Sequence, residues 1–314
     1  MIWLTWRQHR GQILTTAGFL LAYGALLLVS SIGKSRVREC AASAVDACPW
    51  FTAGSTELYL LAEHSYGWIS LLIPALIGAF WGAPLLAREF ERGTDQLAWT
   101  QAVPPRRWLL TKLGVLGGLL MLGGLALSAM ASAWYAAFTP ARGGKWFSDL
   151  GVFHMVGVAP AFWWLFAFAL GTASGALLRK MLPAMAVTVT GIVLAVYSLQ
   201  SLSDHYAEPV RVMVEERMDH FQDVRWVGDA WVALSGAETE SPPLDVCPDG
   251  PDVRPVGGVD GQAHCLLEKG YRFASYLHPP SRFWRFQWTE AGILLAGSAL
   301  LFGFTVARTV RRTR

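Results

Sequence analysis

Formal charge is scarce in this sequence. Asp, Glu, Lys and Arg make up 16 % of its 314 residues, against about 25 % in ordinary soluble domains. A net charge of +3 leaves no basic footprint for nucleic acid. The chain also lacks any G-x-x-x-x-G-K-S/T loop, so it has no such seat for a nucleotide phosphate. It has no HExxH and no GxSxG, and the run Gly171-Thr172-Ala173-Ser174-Gly175 lacks the spacing of a serine elbow and reads as helix packing. Neither C-x-x-C nor H-x-x-x-H occurs, which argues against a bound metal. No formal charge falls in the middle of a long apolar run, so neither a proton-coupled pump nor an intramembrane hydrolase is indicated.

What fills the chain instead is apolar sequence, 53 % of residues, with a mean hydropathy of +0.35. Charges are absent from 11–33, 64–87, 113–141, 150–178 and 181–203. A shorter run, 291–307, is extended outward by Gln287, Trp288 and Thr289, with Glu290 at its outer end. A spanning helix needs roughly 20 mostly apolar residues. The expected fold is therefore an all-α integral membrane protein with six transmembrane helices, near 12–32, 66–87, 113–137, 153–177, 182–201 and 287–307. The first run is too long for the ~7–15 residues of a cleaved signal's apolar core, so it is expected to stay as a span.

The charges then orient the chain. The segments 1–11, 88–112, 179–180 and 308–314 carry 13 basic and three acidic residues. The opposite short loops carry five basic residues, and the long segment 202–286 has 14 acidic and eight basic. By the positive-inside rule both termini are expected in the cytoplasm and 202–286 outside. Cys40, Cys48, Cys247 and Cys265 all fall on that outer side, where thiols oxidise, and local pairs Cys40–Cys48 and Cys247–Cys265 are the simplest arrangement.

Four segments have a local physical role. In 1–11, Ile2, Trp3 and Trp6 share a helical side with Arg7 and Arg10 toward another, as in an interfacial helix lying under the bilayer. In the third span, Gly114 and Gly118 are four apart and suit a close helix contact within or between protomers. In the outer segment, Val210, Met213, Val214, Met218 and Phe221 repeat at helical spacing, while 241–261 is turn-forming. Phe283, Trp284, Phe286 and Trp288 read as an aromatic belt over the last span.

The inner stretch "AREFERGTDQLAWTQAVPPRRWLLTK", 87–112, carries more than topology requires. Ala87–Glu91 continues the second span, Gly93-Thr94 interrupts it, Asp95–Gln101 can form a short helix, and Pro104-Pro105 stops that helix before Arg106, Arg107 and Lys112. A short projecting helix with Leu97 and Trp99 as apolar members can lie in a partner's groove.

In this order of parts the chain resembles the permease subunits of ATP-binding-cassette transporters of the type-2 exporter class. "REFERGTDQLAWTQAVPPRRWLLTKL" is similar to that family's coupling loop, and "MIWLTWRQHR" and "SRFWRFQWTEAG" resemble a branch common in actinobacteria. The resemblance implies an interfacial helix at 1–11, spans one to five in 12–201 with a coupling loop at 88–112, an outer segment 202–286, a sixth span at 287–307 and a basic tail at 308–314. It implies a transporter subunit in the cell membrane that is not itself an enzyme and binds no cofactor. ATP would sit on a separate ABC ATPase subunit, docked through Arg88, Glu89, Glu91, Arg92, Gly93, Thr94 and Trp99. A second permease copy, identical or related, and membrane lipids would be its other partners. The competing reading is a membrane sensor or scaffold, with a ligand-binding outer segment and a partner-docking inner loop.

Overall fold

The computed structural model describes residues 2–31, 53–91, 93, 104–142, 146–213, 223–241, 246 and 261–310. The chain divides into two compact units, Met1–Ser203 with Trp284–Arg314, and Asp204–Phe283.

The regular secondary structure among the described residues of the first unit is all helical. Its elements are α1 (Ile2–Ser30), α2 (Ala53–Ile77), a π-helical turn (Gly78–Gly82), α3 (Ala83–Glu91), α4 (Pro105–Arg142), α5 (Leu150–Met155), α6 (Ala159–Leu178), α7 (Met181–Ser203) and α9 (Phe283–Val310). Six continuous helical stretches are long and apolar enough to cross a membrane, the second running through α2, the π turn and α3. Leu21 and Leu300 are each 76 % exposed. Water would not tolerate so many outward leucines, and lipid supplies their environment.

Two boundaries differ from expectation. Residues 2–11, expected as an interfacial helix, are helical and run without a break into the first span as α1. Good helix formers cross the 11–12 boundary with no proline, and Gly11 alone does not stop them. The helix that carries the second span begins at Ala53, well before residue 66, so Glu57 and Glu63 lie on the helix itself.

The centre of the unit is α6, in contact with α4, α3, the π turn and α7. Close approach is possible because small residues face each other. A Cβ on Gly175 would lie 2.5 Å from the Ala83 carbonyl, and one on Gly82 would lie 2.8 Å from Gly171 Cα. In α4 the tight positions are Gly123, against the Trp164 ring, and Gly124, 2.7 Å from Ala161 Cα. At Gly114 and Gly118, expected to pack, an added Cβ would meet no atom of the described residues within 4 Å. The contact within the protomer lies one turn and more further along α4, where α6 crosses it.

Polar side chains fasten the ends of α5, α6 and α9. Gln287 Oε1 accepts from the Val158 and Ala159 amides at 3.0 and 2.9 Å, and its Nε2 donates to the Phe153 carbonyl at 2.8 Å. These are the orphan amides of a helix start, satisfied from a neighbouring helix. Beside it the buried Glu290 accepts from Trp163 Nε1 at 2.7 Å and lies 3.2 Å from His154 Nε2. The aromatic belt is divided. Trp284 and Trp288 are exposed, but Phe286 is buried edge-on against Phe147 with centroids 4.9 Å apart.

The second unit holds a four-stranded antiparallel sheet in the order β1-β4-β2-β3, with β1 (Val210–Met213), β2 (Arg225–Val232), β3 (Glu238–Thr239) and β4 (Arg272–His278). Helix α8 (Gly261–Glu268) precedes β4. Trp231 and Leu266 form its core with Phe273 and Tyr271 around them. The helix expected from Val210 onward is corrected here: Val210–Met213 is a strand paired with Leu277–Ala274. Its β-branched residues suit a pleated edge, and a long-range partner outweighs helical spacing over so short a stretch. Val214, Met218, Phe221 and the turn-rich 247–260 lie outside the described residues.

Candidate functional site

Pro84 sets the geometry of the second span's C-terminal half. It carries no N–H, so the Phe80 carbonyl loses its ordinary helical donor. The chain widens into the π-helical turn Gly78–Gly82 immediately before it. Such turns occur where a helix is made to yield at a functional position. Gln12 Nε2 from α1 donates to that carbonyl at 2.7 Å, while Gln12 Oε1 lies 2.6 Å from His9 Nδ1. The first helix is thereby tied to the π turn.

Beyond Pro84, α3 carries the residues expected to meet a partner. Glu89 Oε1 accepts from Lys112 Nζ on α4 at 2.9 Å. Lys112 is buried, and its ammonium also sits 4.0 Å from the Trp108 ring centre, where the ring's negative face stabilises it. Glu91 Oε1 accepts from the Met181 amide at 2.9 Å, capping the start of α7 from outside and placing a carboxylate at the positive end of that helix. The Arg179 guanidinium lies 5.6 Å from the Phe90 ring centre. Arg179 itself ends α6 in a left-handed conformation, φ +58°, which turns the chain into α7. Ala83 and Ala87 of α3 pack on Ala184 of α7.

One helix end is therefore joined by a charge pair to α4 and by a cap and a ring contact to the α6–α7 turn. Arg88 is exposed at the same end. Gly93 follows at φ +63°, its amide donating to the Phe90 carbonyl at 3.3 Å. That turn needs glycine because the left-handed region is costly for other residues. Arg92, Thr94, Trp99 and the short helix expected over Asp95–Gln101 lie outside the described residues.

Sequence reasoning chose Glu89 and Glu91 as residues presented to a partner. The structure gives both carboxylates partners inside the chain. It missed Gln12, Phe90, Arg179 and the Met181 amide. Pro84, with glycines on both of the helices that cross there, was the available signal. Of the four cysteines, only Cys265 falls among the described residues, and no free cysteine occurs among them.

Six helices long and apolar enough to cross a membrane, joined through such polar helix ends, define a multi-pass membrane protein. Residues 11–203, more than half of the chain, match the family of proteins described as ABC-2 membrane transporter related, and the chain belongs to that family. Neither a curated protein nor a solved structure matches it.

Proposed function

We propose that this chain is the membrane subunit of an ATP-driven exporter, and that separate ATPase subunits dock on the inner loop 88–112. The observation that carries this reading is the fastening of α3 to α4 through Glu89–Lys112 and to the α6–α7 turn through Glu91 and Phe90. A force applied to the loop that follows α3 passes through these contacts to three further helices at once. A loop that only stayed in water would need none of them. ATP stays on the partner, because this sequence holds no phosphate loop.

In this reading the termini and the loop lie in the cytoplasm, and Asp204–Phe283 lies outside. Two permease copies pair, and the open faces of Gly114 and Gly118 are available for that contact. On the oxidising side Cys265 pairs with Cys247, and Cys40 with Cys48.

An exporter subunit is expected to have a Walker-containing ATPase encoded beside it, and the test is co-purification with that ATPase, followed by ATP hydrolysis measured in vesicles. Proline cannot adopt φ +63°, so Gly93→Pro breaks the turn at the start of the loop. The expected result is an assembled wild-type complex whose hydrolysis or assembly is weakened by Gly93→Pro and by Trp99→Ala. A wild-type chain that never associates with an ATPase would end this reading.

A further inference from the structure

A cavity of about 560 Å³ opens between the start of α4 and the end of α9. Among the described residues lining it, one is charged, Arg106. The other walls are Leu110 of α4 and one face of α9 between Ala299 and Val310. On that face Ala299, Phe302, Gly303, Val306 and Ala307 follow one another at three- and four-residue spacing, so they form a single apolar stripe. Its length is roughly 16 Å at 1.5 Å per residue, close to half of a ~30 Å hydrocarbon core. A Cβ added at Gly303 would meet no atom of the described residues within 4 Å, so the trough is open at its middle. Phe302 is braced from behind by Phe168 of α6, with ring centres 5.9 Å apart.

A second cavity of about 460 Å³ adjoins the first, with Arg106 and Leu110 common to both. Pro104, Arg107 and Thr111 complete its walls among the described residues, and no carboxylate is among them. Arg106 and Arg107 are both exposed. Neither guanidinium has an ion pair among the described residues. The next cation along α4 differs: Lys112 is buried and paired with Glu89 at 2.9 Å. An apolar trough therefore runs up to two arginines whose charge the protein leaves unmet.

We infer that these joined cavities bind an anionic phospholipid, with an acyl chain along α9 and the phosphate at Arg106 and Arg107. Three features agree on that occupant. The trough is about as deep as one leaflet and lined by apolar side chains, as a lipid tail requires. The guanidinium fork matches phosphate oxygens, and basic pockets between membrane helices hold anionic headgroups. The walls offer no carboxylate to the ammonium of a zwitterionic lipid. The site is made by this chain alone, so lipid binding can fail or succeed independently of ATPase coupling.

The experiment uses the full chain purified in detergent. Lipids with identical acyl chains are titrated, and native mass spectrometry reads bound lipid and oligomeric state together. Phosphatidylglycerol is expected to bind about tenfold more tightly than phosphatidylcholine, because each arginine near the headgroups adds to the attraction for negative charge. Arg106→Gln with Arg107→Gln is expected to abolish that preference in a chain that still folds, since both side chains are exposed. Gly303→Leu, which fills the open trough, is expected to weaken both lipids. Glycerol phosphate, a headgroup without tails, should fail to displace phosphatidylglycerol. Equal binding of the two lipids, or a preference that survives the double substitution, would overturn the proposal. Displacement by glycerol phosphate would overturn it in favour of a free phosphate site. Lipid binding undiminished by Gly303→Leu would overturn it too, and loss of a dimer in that variant would make the trough the seat of a second copy.

Discussion

Lys112 is the residue at which burial and charge meet most sharply. Its side chain is 4 % exposed, while that of Glu89 is 27 % exposed. Removing one partner of a buried pair leaves a charge without compensation and costs on the order of 3 kcal/mol, whereas replacing both can be nearly neutral. Glu89→Gln is therefore expected to lower the thermal unfolding temperature in detergent more than Glu89→Gln with Lys112→Met together. A double-mutant cycle measures this, and additive effects would show that the pair is not coupled. His278 supplies a second residue-scale expectation. Burial is the main cause that pushes its imidazole below the usual range, and the nearby Arg282 guanidinium acts in the same direction. Nδ1 lies 2.9 Å from Arg282 Nη1 and must accept from it, so Nε2 carries the proton toward the Asp204 carbonyl at 3.2 Å. A histidine whose folded pKa is lowered is protonated more readily in the unfolded chain. Its stabilising contribution is present above about pH 6.5 and is lost as pH falls below it. Protection of the β4 amides from hydrogen exchange, taken relative to their intrinsic exchange rate at each pH, should fall between about pH 7.5 and pH 5.5, and His278→Gln should remove that part of the pH dependence.

At the scale of elements, the crossing of the π turn with α6 is what holds the second span against the fourth. A Cβ on Gly171 would run into the Gly78 carbonyl and lie 2.8 Å from Gly82 Cα, both backbone, which cannot move aside as a side chain can. Gly171→Ala is expected to destabilise by about 1–3 kcal/mol, read as a lower unfolding temperature. Gly292→Ala, on α9 with open space around it, is the control and should change little. Glycine in G-T-A-S-G could be read as packing from the sequence, and Gly171 and Gly175 do that. Its partner surface could not be read, because Gly78 and Gly82 become a facing surface only once Pro84 forces the π turn. The same limit applies to Gly114 and Gly118. Their spacing is right for a helix contact, but spacing alone does not say which face of α4 meets α6.

For the whole molecule, the cysteines provide the sharpest expectation. Under non-reducing conditions, proteolysis of the purified chain should yield a cross-linked peptide pair containing Cys247 and Cys265 and another containing Cys40 and Cys48. Four thiols that alkylate without reduction would reject both pairs. The six spans and the absence of a nucleotide loop were legible in the sequence, because a bilayer demands long uncharged runs whatever their neighbours are. The loop 88–112 was legible as a candidate because its charges and turns exceed what topology needs. The sheet of Asp204–Phe283 was not, since its strands are short and paired across large sequence separations, with β1 joined to β4. The charge pair Glu89–Lys112 and the cap from Glu91 to Met181 were not legible either. Each joins residues on different helices, and hydropathy within one helix carries no information about which side chain faces which. Sequence alone determined what crosses the membrane. Tertiary packing, through close approach at glycines and the need to satisfy buried polar groups, decided which helix ends are tied together.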